Sequence, residues 1–393
     1  MRSYRNEVEN LREQLVAWRR DFHQHPEIAF EEVRTSQKVA EVLTQLGLEV
    51  QYGVGKTGVV GILEGTGTGP TVLVRADMDA LPIHEENDVP YKSQTTNRMH
   101  ACGHDGHTAI ALSVAKILAA HREQINGAIK FVFQPAEEIA AGAKAMIDDG
   151  VMEGLKPDVS LGLHLWNDMP VGRVAVTEGP AMASSDSFRL WIEGRGGHGA
   201  SPHQTHDPLL AAAQIITAVQ SIISRNVPPL DAGVLSCTMI RAGDAFNVIP
   251  SEVEIKGTIR SYKNEIRDLI VARFEAIASG IAHAMNCTAR LEFFEQTPPL
   301  VNDHVIGERL RYGFGQIDNN LEIVDDVRTM GAEDMGFFLE RAPGVYFFVG
   351  SANASRGLDY PHHHPRFDVD EEALIIGASL LTAAVADYVI PGQ

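Results

Sequence analysis

The alternation of strand-like and helix-like segments most strongly restricts what this chain can fold into. Short runs of aliphatic and β-branched residues, typical of strands, occupy residues 58–65, 70–77, 129–138 and 158–166. Helical spacing of apolar residues occupies residues 35–46, 106–121 and 140–149. Strands that alternate with helices predict an α/β fold, in which a mixed central sheet carries helices on both faces.

The order of elements changes at residue 184. The segment from there to residue 295 reads as a strand, a helix over residues 208–224, two strands, a helix over residues 264–285 and a final strand. This βαββαβ order is that of the ferredoxin-like unit. We therefore expect residues 184–295 to form an inserted domain, and residues 1–183 and 296–393 to form one discontinuous domain.

The charge balance excludes some classes of partner. The chain has 33 Lys and Arg residues against 52 Asp and Glu residues, which leaves a formal net charge of −19. Such a chain repels phosphate backbones and anionic lipid, so we expect neither a nucleic acid nor a membrane as partner. The uncharged residues 373–386 are too few to span a bilayer, which needs about 20, and predict a buried helix. Three cysteines do not make a disulfide framework, and a reducing, cytoplasmic location is expected.

Residues 99–107 hold the densest group of metal-binding side chains. This short segment contains His100, Cys102, His104 and His107. Thiolate and imidazole are the ligands that borderline-soft divalent metals prefer, and two glycines permit a tight turn between them. The sequence has no second Cys or His pair at the spacing of a structural zinc knuckle. A catalytic site with open coordination positions is therefore the favoured interpretation.

Further candidate ligands follow three of the predicted strands. Asp77 and Asp79 end one strand, Glu137 and Glu138 end the next, and His164 ends a third. Ligands of open α/β sheets bind beyond the carboxyl ends of the strands, so these side chains are expected to converge.

Two of these acids are adjacent in the sequence. Neighbouring residues of an extended segment point to opposite sides, so one of Glu137 and Glu138 is expected to face a metal and the other a substrate. A carboxylate beside a metal site is the usual general base of metal-assisted hydrolysis. Three consecutive histidines at residues 362–364 are additional candidate ligands.

Nine short motifs of this sequence resemble those of a known family. In chain order they are DMDALP, HACGHDGHTA, FQPAEE, GLHL, GGHGASPH, AFNVIP, GTIRS, GAEDMGFF and HHHPRFDVDEE. Together they resemble the metal-dependent aminoacylase and glutamate-carboxypeptidase family, in the branch of N-acyl-amino-acid amidohydrolases that includes hippurate and auxin-conjugate hydrolases. The resemblance implies a zinc-peptidase-like catalytic domain with two metal ions, interrupted by a lid and dimerisation domain, and hence a homodimer or higher homo-oligomer.

The resemblance also implies roles for individual residues. The implied ligands of the two divalent ions, whether Zn, Mn, Co or Ni, are Cys102, His104, Glu138, His164 and His363. Glu137 is implied as the general base, and Asp79 as an acid that orients a ligand. Asp77 stands where the wider family has a histidine, which suggests that the identity and affinity of the metal differ from those of the dizinc relatives.

The inserted domain contributes three more residues by the same resemblance. His198, Asn247 and Arg260 match positions that contact the substrate, with His198 over the developing oxyanion and Arg260 at the substrate carboxylate. In dimeric relatives the histidine and the asparagine reach the active site of the partner. Residues 139–141 (Ile-Ala-Ala) replace a glycine run of this branch, so the resemblance does not specify the acyl preference.

The leading functional prediction is hydrolysis of the amide bond of N-acyl-L-amino acids. A metallocarboxypeptidase or dipeptidase acting on short peptides with a free carboxylate is the alternative within this class. A second enzyme hypothesis makes Cys102 a nucleophile with His104 or His107 as its base. A third, that the chain is a binding protein without catalysis, is disfavoured by the presence of Glu137.

Overall fold

The computed structural model describes residues 1–392, except for the side chain of Glu295. These residues form two compact units. The first unit comprises Met1–Gly179, Val301–Arg328 and the described residues from Asp334 onward, and the second comprises Pro180–Leu300 and Thr329–Glu333.

The bounds of the second unit differ from those of the predicted insertion. It begins earlier than residue 184 and ends later than residue 295, and it also includes the distant segment Thr329–Glu333. That segment joins because Thr329 donates its backbone N–H to Ala181 and Gly331 accepts one from Ala183. No sequence pattern signals this pairing, since its partners are far apart in the chain.

Ten α-helices lie in the described part of the chain. They are α1 (Arg5–Asn10), α2 (Arg12–Gln24), α3 (Val33–Gln45), α4 (His104–Ala120), α5 (Gly142–Asp148), α6 (Pro208–Arg225), α7 (Asn264–Ala284), α8 (His304–Ile317), α9 (Gly336–Leu339) and α10 (Glu372–Val389). Short 3₁₀ turns occupy Arg122–Gln124, Pro202–Gln204 and Ala354–Arg356.

Sixteen strands lie in the same described residues. They are β1 (Glu49–Val54), β2 (Gly58–Glu64), β3 (Gly67–Asp77), β4 (Asn126–Gln134), β5 (Val159–Pro170), β6 (Arg173–Ala175), β7 (Gly179–Met182), β8 (Ser184–Glu193), β9 (Gly197–His198), β10 (Gly233–Ala242), β11 (Val248–Ile249), β12 (Glu252–Ser261), β13 (Thr288–Thr297), β14 (Leu300–Asn302), β15 (Glu322–Val324) and β16 (Gly344–Ala352).

The first unit is built on an eight-stranded sheet. Its strand order is β1-β2-β4-β3-β5-β16-β6-β15. The central strands β4, β3, β5 and β16 run parallel, whereas β1, β2 and β4 pair antiparallel. Successive residues of a strand face opposite sides, so the uninterrupted burial of residues 71–77 shows that both faces of the sheet are covered. The predicted α/β class with a mixed central sheet is confirmed.

Two helices, α6 and α10, are long and apolar enough to cross a membrane by length and composition alone. In α10, 83% of the 18 apolar-rich residues are buried, and the helix packs in the core of the first unit. The predicted buried helix is confirmed, and it is longer than the expected residues 373–386. Helix α6 instead buries one face, through Ala211, Ile215, Val219 and Ile222, in the core of the second unit.

The second unit contains a four-stranded antiparallel sheet. Its strand order is β10-β12-β8-β13, and α6 and α7 pack against it. The chain order β8-α6-β10-β12-α7-β13 and this spatial order are those of the ferredoxin-like unit. The predicted βαββαβ arrangement is confirmed.

Candidate metal centre

The turn before α4 places Cys102 and His104 together. Gly103 between them has φ +96°, a conformation that favours glycine, and α4 begins at His104. Both flanking side chains are buried. The Nδ1 atom of His104 donates to the backbone oxygen of Asp79 at 2.8 Å, so in the neutral ring Nε2 is the atom with a free lone pair.

Glu137 and Glu138 lie in a turn, so the prediction of an extended segment was wrong. Strand β4 ends at Gln134, and Ala136 and Ala140 have φ +54° and +53°. The carboxylate of Asp79 accepts the backbone N–H groups of both glutamates at 3.0 Å. Because the backbone turns here, both side chains reach His104 and lie within 4.8 Å of it and of each other.

His164 lies on β5, the parallel neighbour of β3, and its side chain faces Cys102. It does not end β5, as predicted, because the strand continues to Pro170. The Nδ1 atom of His164 donates to the backbone oxygen of Leu165 at 2.7 Å. Its Nε2 atom therefore faces the Sγ atom of Cys102, at 3.6 Å, as a lone-pair donor.

His363 approaches the same group from the loop before α10. Its backbone has φ +64° and its N–H donates to the carbonyl of Ala101 at 2.8 Å, which fixes the turn. Its Nε2 atom lies 3.4 Å from Oε2 of Glu138. About half of the side chain is exposed, so this ligand position is on the open side of the group.

The five predicted ligands therefore converge. They fall into two overlapping clusters whose ligand atoms lie within 4.8 Å of one another, Cys102 with His104 and His164, and Cys102 with Glu138 and His363. Nε2 of His104 and Oε1 of Glu138 are buried and have no hydrogen-bond partner among the described residues. Buried acceptors without a donor are costly, and a cation would satisfy both. The donor set of thiolate, imidazole and carboxylate fits a divalent transition metal.

Burial governs the ionisation of Cys102, Glu138 and His164. At His104 burial lowers the pKa, but Asp77 and Cys102 raise it well above its usual value. Burial raises the pKa of the Cys102 thiol well above its usual value, and it raises the pKa of Glu138 to about 7. It lowers the pKa of His164 well below its usual value, which keeps the ring neutral. A neutral imidazole is the form that binds metal, and a neighbouring divalent cation favours thiolate and carboxylate.

Asp77 belongs to a buried network beneath the ligands. Its Oδ2 atom accepts from Arg75 at 2.7 Å, and its Oδ1 atom accepts from Nδ1 of His107 at 2.6 Å. Burial alone would raise its pKa, but His104, Arg75 and His107 hold it well below its usual value. Asp77 is therefore ionised, and it holds both the Arg75 guanidinium and the His107 ring. Nothing in the sequence distinguished this role from that of a ligand.

His107 is part of this network and not a base for Cys102. Its Nδ1 atom donates to Asp77, and its Nε2 atom accepts the backbone N–H of Leu165 at 2.9 Å. Both ring nitrogens are thus engaged, so the hypothesis that His107 activates a Cys102 nucleophile is wrong. Instead the ring connects Asp77 to the strand that carries His164.

His362 lies beside the Cys102 thiol, a placement that the sequence did not predict. Its Nε2 atom accepts the backbone N–H of Asn167 at 3.1 Å, which places the ring proton on Nδ1. That atom lies 3.8 Å from Sγ of Cys102, so His362 can donate to the sulfur. The run of three histidines was the available signal, but it does not say which ring faces the thiol.

The three residues predicted in the inserted domain all lie in the second unit. His198 pairs with Val248, next to Asn247, and both His198 and Asn247 are exposed. The Nδ1 atom of His198 accepts the N–H of Ala200 at 3.0 Å, so its Nε2 atom carries the proton of the neutral ring. Arg260 is half-buried on β12 and makes no ion pair among the described residues. Burial lowers its pKa, although Asp186 opposes this.

Known proteins with this fold are closely similar in sequence. A thermostable carboxypeptidase (number 2) of Saccharolobus solfataricus is 40% identical over 378 residues, which cover 95% of each chain. An N-acetyl-L-cysteine deacetylase of Bacillus subtilis is 39% identical over 368 residues, or 94% of this chain and 86% of the other. The crystal structure of a dinuclear metal-binding peptidase of the M20 family from Bacillus subtilis has a TM-score of 0.84 at 34% identity, and covers 96% of this chain and 98% of the other.

The family description of peptidases M20/M25/M40 matches residues 73–387, which include all five converging ligands. The identity of the relatives extends over nearly the whole chain. The family predicted from the motifs is thereby confirmed, and the chain is a hydrolase of peptidase family M20/M25/M40.

Proposed function

We propose that this hydrolase cleaves the amide bond of N-acyl-L-amino acids with two divalent metal ions, releasing a carboxylic acid and a free amino acid. The observation that carries the proposal is the convergence of five ligand side chains, with Glu137 beside them. The deacetylase among the relatives, whose name specifies an N-acetyl-amino acid, supports this class of substrate.

The metal ligands in this proposal are Cys102, His104, Glu138, His164 and His363. When bound, the two ions would supply polarisation of the amide carbonyl and a lowered pKa for the attacking water. The five ligand side chains offer one sulfur, three imidazoles and one carboxylate, a set that suits zinc, manganese, cobalt or nickel. The similarity to a dinuclear metal-binding peptidase supports a count of two.

Glu137 is the proposed general base. Its carboxylate lies within 4.8 Å of ligand atoms of His104 and Glu138, on a turn that Asp79 holds through two hydrogen bonds. It takes the proton of the attacking water and then delivers that proton to the nitrogen of the leaving amine. Asp79 therefore orients His104 through its backbone oxygen and the two glutamates through its carboxylate.

The second unit contributes the proposed contacts to the substrate. His198 can donate from Nε2 to the oxyanion that forms at the scissile carbonyl. Arg260 makes no direct ion pair among the described residues, although Asp186 interacts with it at longer range. Its planar fork suits the carboxylate of an amino acid. Asn247 lies beside His198 and is proposed to donate to the same substrate.

Hydrolysis of short peptides by a metallocarboxypeptidase is the alternative. The archaeal carboxypeptidase relative supports it, and both substrate classes end in a free α-carboxylate. A Cys102 nucleophile is not favoured, because burial raises the pKa of this thiol whereas nucleophilic cysteines need a lowered one. Comparing kcat/KM for acetyl, benzoyl and longer acyl conjugates with that for matched dipeptides tests the proposal. Faster turnover of the dipeptides would favour the carboxypeptidase.

Replacing Arg260 by Ala should weaken recognition of the substrate carboxylate. Loss of a charge-assisted hydrogen bond costs about 1.5–3 kcal/mol, so KM for a free-acid substrate should rise about 10- to 100-fold with a smaller change in kcat. Steady-state kinetics with free-acid and amidated versions of one substrate measure this. Arg225→Ala, at the end of α6, is the control and should leave kcat and KM for both substrates unchanged. If Arg260→Ala keeps the wild-type preference for the free acid, Arg260 does not bind the carboxylate.

We propose further that the protein is a cytoplasmic homodimer. Strand β10 is an edge of the sheet in the second unit, and Leu230, Ile240, Phe246 and Val248, on or near it, are exposed. Exposed edge strands with apolar side chains commonly pair with another chain. Light scattering should give twice the monomer mass for the wild type and for Val305→Asp on α8, and the monomer mass for Phe246→Asp. A monomeric wild type contradicts the proposal.

A further inference from the structure

Glu32 is a buried carboxylate that reaches the turn bearing the paired glutamates. Its side chain is wholly buried where α3 begins. Its Oε1 atom accepts the backbone N–H groups of Phe30, at 3.0 Å, and of Ala136, at 2.9 Å. Its Oε2 atom accepts the hydroxyl of Thr57. One side chain thus joins the N-terminal segment, the turn before β2 and the turn after β4.

Ala136 immediately precedes Glu137 and has an unfavourable backbone conformation. Its φ of +54° lies in the left-handed region, where an alanine side chain is strained. With the bonds to Asp79, three consecutive N–H groups, those of Ala136, Glu137 and Glu138, donate to two buried carboxylates. Strained turns persist where the surroundings hold them, and here Glu32 and Asp79 do so.

We propose that Glu32 is a positioning residue, which fixes the turn at Ala136 and thereby the direction of the Glu137 carboxylate. The inference rests on the proposed role of Glu137 as general base. The hydrogen bonds of the Glu32 side chain reach Phe30, Thr57 and Ala136, and none of these is a proposed ligand or Glu137 itself. Glu32 acts only through the backbone of Ala136.

The contacts specify what the side chain must supply. Both backbone donors bind one oxygen atom, Oε1, so the role requires an acceptor at this reach and not a negative charge. Burial raises the pKa of Glu32 to about 7, against the lowering effect of its hydrogen bonds from Thr57 and the backbone. Glutamine keeps the acceptor oxygen at the same distance without the charge. Aspartate keeps the charge but withdraws the oxygen by one methylene group.

Comparing Glu32→Gln with Glu32→Asp therefore tests the proposal. Displacement of a catalytic group by about 1 Å can cost 100-fold, so kcat should fall about 10- to 100-fold in Glu32→Asp with KM little changed. Glu32→Gln should stay close to the wild type. Mass spectrometry should find the same metal content in all three proteins. Hydrogen exchange at the Ala136 amide should be faster in Glu32→Asp alone, a readout that does not depend on turnover.

A matched control distinguishes positioning from general stability. Glu27 also holds two backbone N–H groups, those of Arg34 and Thr35, and neither belongs to the turn of Glu137. Glu27→Ala should lower the melting temperature and leave kcat unchanged. Wild-type kcat in Glu32→Asp, or a loss in Glu32→Gln as large as in Glu32→Asp, overturns the inference. Failure of the proposed function is separate, because it would appear as normal turnover in Glu137→Gln.

Discussion

Glu137→Gln should retain the fold and the metal content of the wild type and lose about 10²–10⁴-fold in kcat. Glutamine has nearly the shape of glutamate, so the turn held by Asp79 should persist, because Asp79 binds the backbone of Glu137 and not its side chain. The amide cannot accept the proton of the attacking water, nor can it pass one to the leaving amine. Since one group serves both transfers, KM should change much less than kcat.

The measurement is steady-state turnover of an N-acyl amino acid, together with metal analysis of the same sample. Glu153→Gln, an exposed residue of the first unit, is the control and should have wild-type kinetics. Near-normal turnover in a metal-replete Glu137→Gln protein would remove Glu137 from its proposed role. A loss of metal along with the loss of turnover would instead indicate that Glu137 is a ligand.

The parts of the site that lie in local motifs could be predicted from the sequence. Cys102 and His104 lie on either side of one glycine, and Glu137 and Glu138 are adjacent, so short-range spacing identifies them. The convergence of these side chains follows from the strand order. Strands β4 and β5 flank β3, and the carboxyl ends of parallel strands meet at one edge of the sheet. The alternation of apolar segments was sufficient to predict the α/β topology.

The supporting contacts could not be predicted, because they join residues that are distant in the chain. Arg75 pairs with Asp334, 259 residues away, and Glu32 binds the backbone of Ala136, 104 residues away. Neither pairing leaves a local pattern. The turns at Ala136 and His363 have positive φ, which the sequence does not reveal because neither residue is glycine. The extended geometry expected for Glu137 and Glu138 was wrong for this reason.

The contacts that the sequence did not predict all fix the positions of charged groups in the site. All the proposed ligands except His363 are largely buried. A buried cluster of charged groups holds one geometry only if every member is fixed by hydrogen bonds. Arg75 neutralises Asp77, and His107 donates a hydrogen bond to it. Asp79 fixes both His104 and the glutamate turn. The five proposed ligands are thus positioned without a bound cation, which lowers the cost of ordering them around one.

Removal of metal by a chelator should abolish activity and lower the melting temperature. We also expect the melting temperatures of the metal-loaded and metal-free proteins to differ more as the pH rises. A ligand that binds only the folded state stabilises it by about 4 kcal/mol at a concentration of 1,000 times Kd. The pH dependence follows from protons that must leave the ligands. Burial raises the pKa of Glu138 from 4.5 to about 7, and the pKa of the Cys102 thiol is also raised.

The sign can be derived from Glu138. A carboxyl whose pKa is raised by folding favours the folded state fully below its unfolded pKa, and this contribution is lost as the pH rises through about 7. The metal-free protein should therefore lose stability between about pH 4.5 and pH 7. Metal binds the ionised carboxylate and thiolate, so its affinity should rise over the same range and beyond. Thermal unfolding of both forms at several pH values measures the difference. If it is constant from about pH 5 to pH 8, Glu138 and Cys102 do not lose protons on binding metal, and their assignment as ligands is wrong.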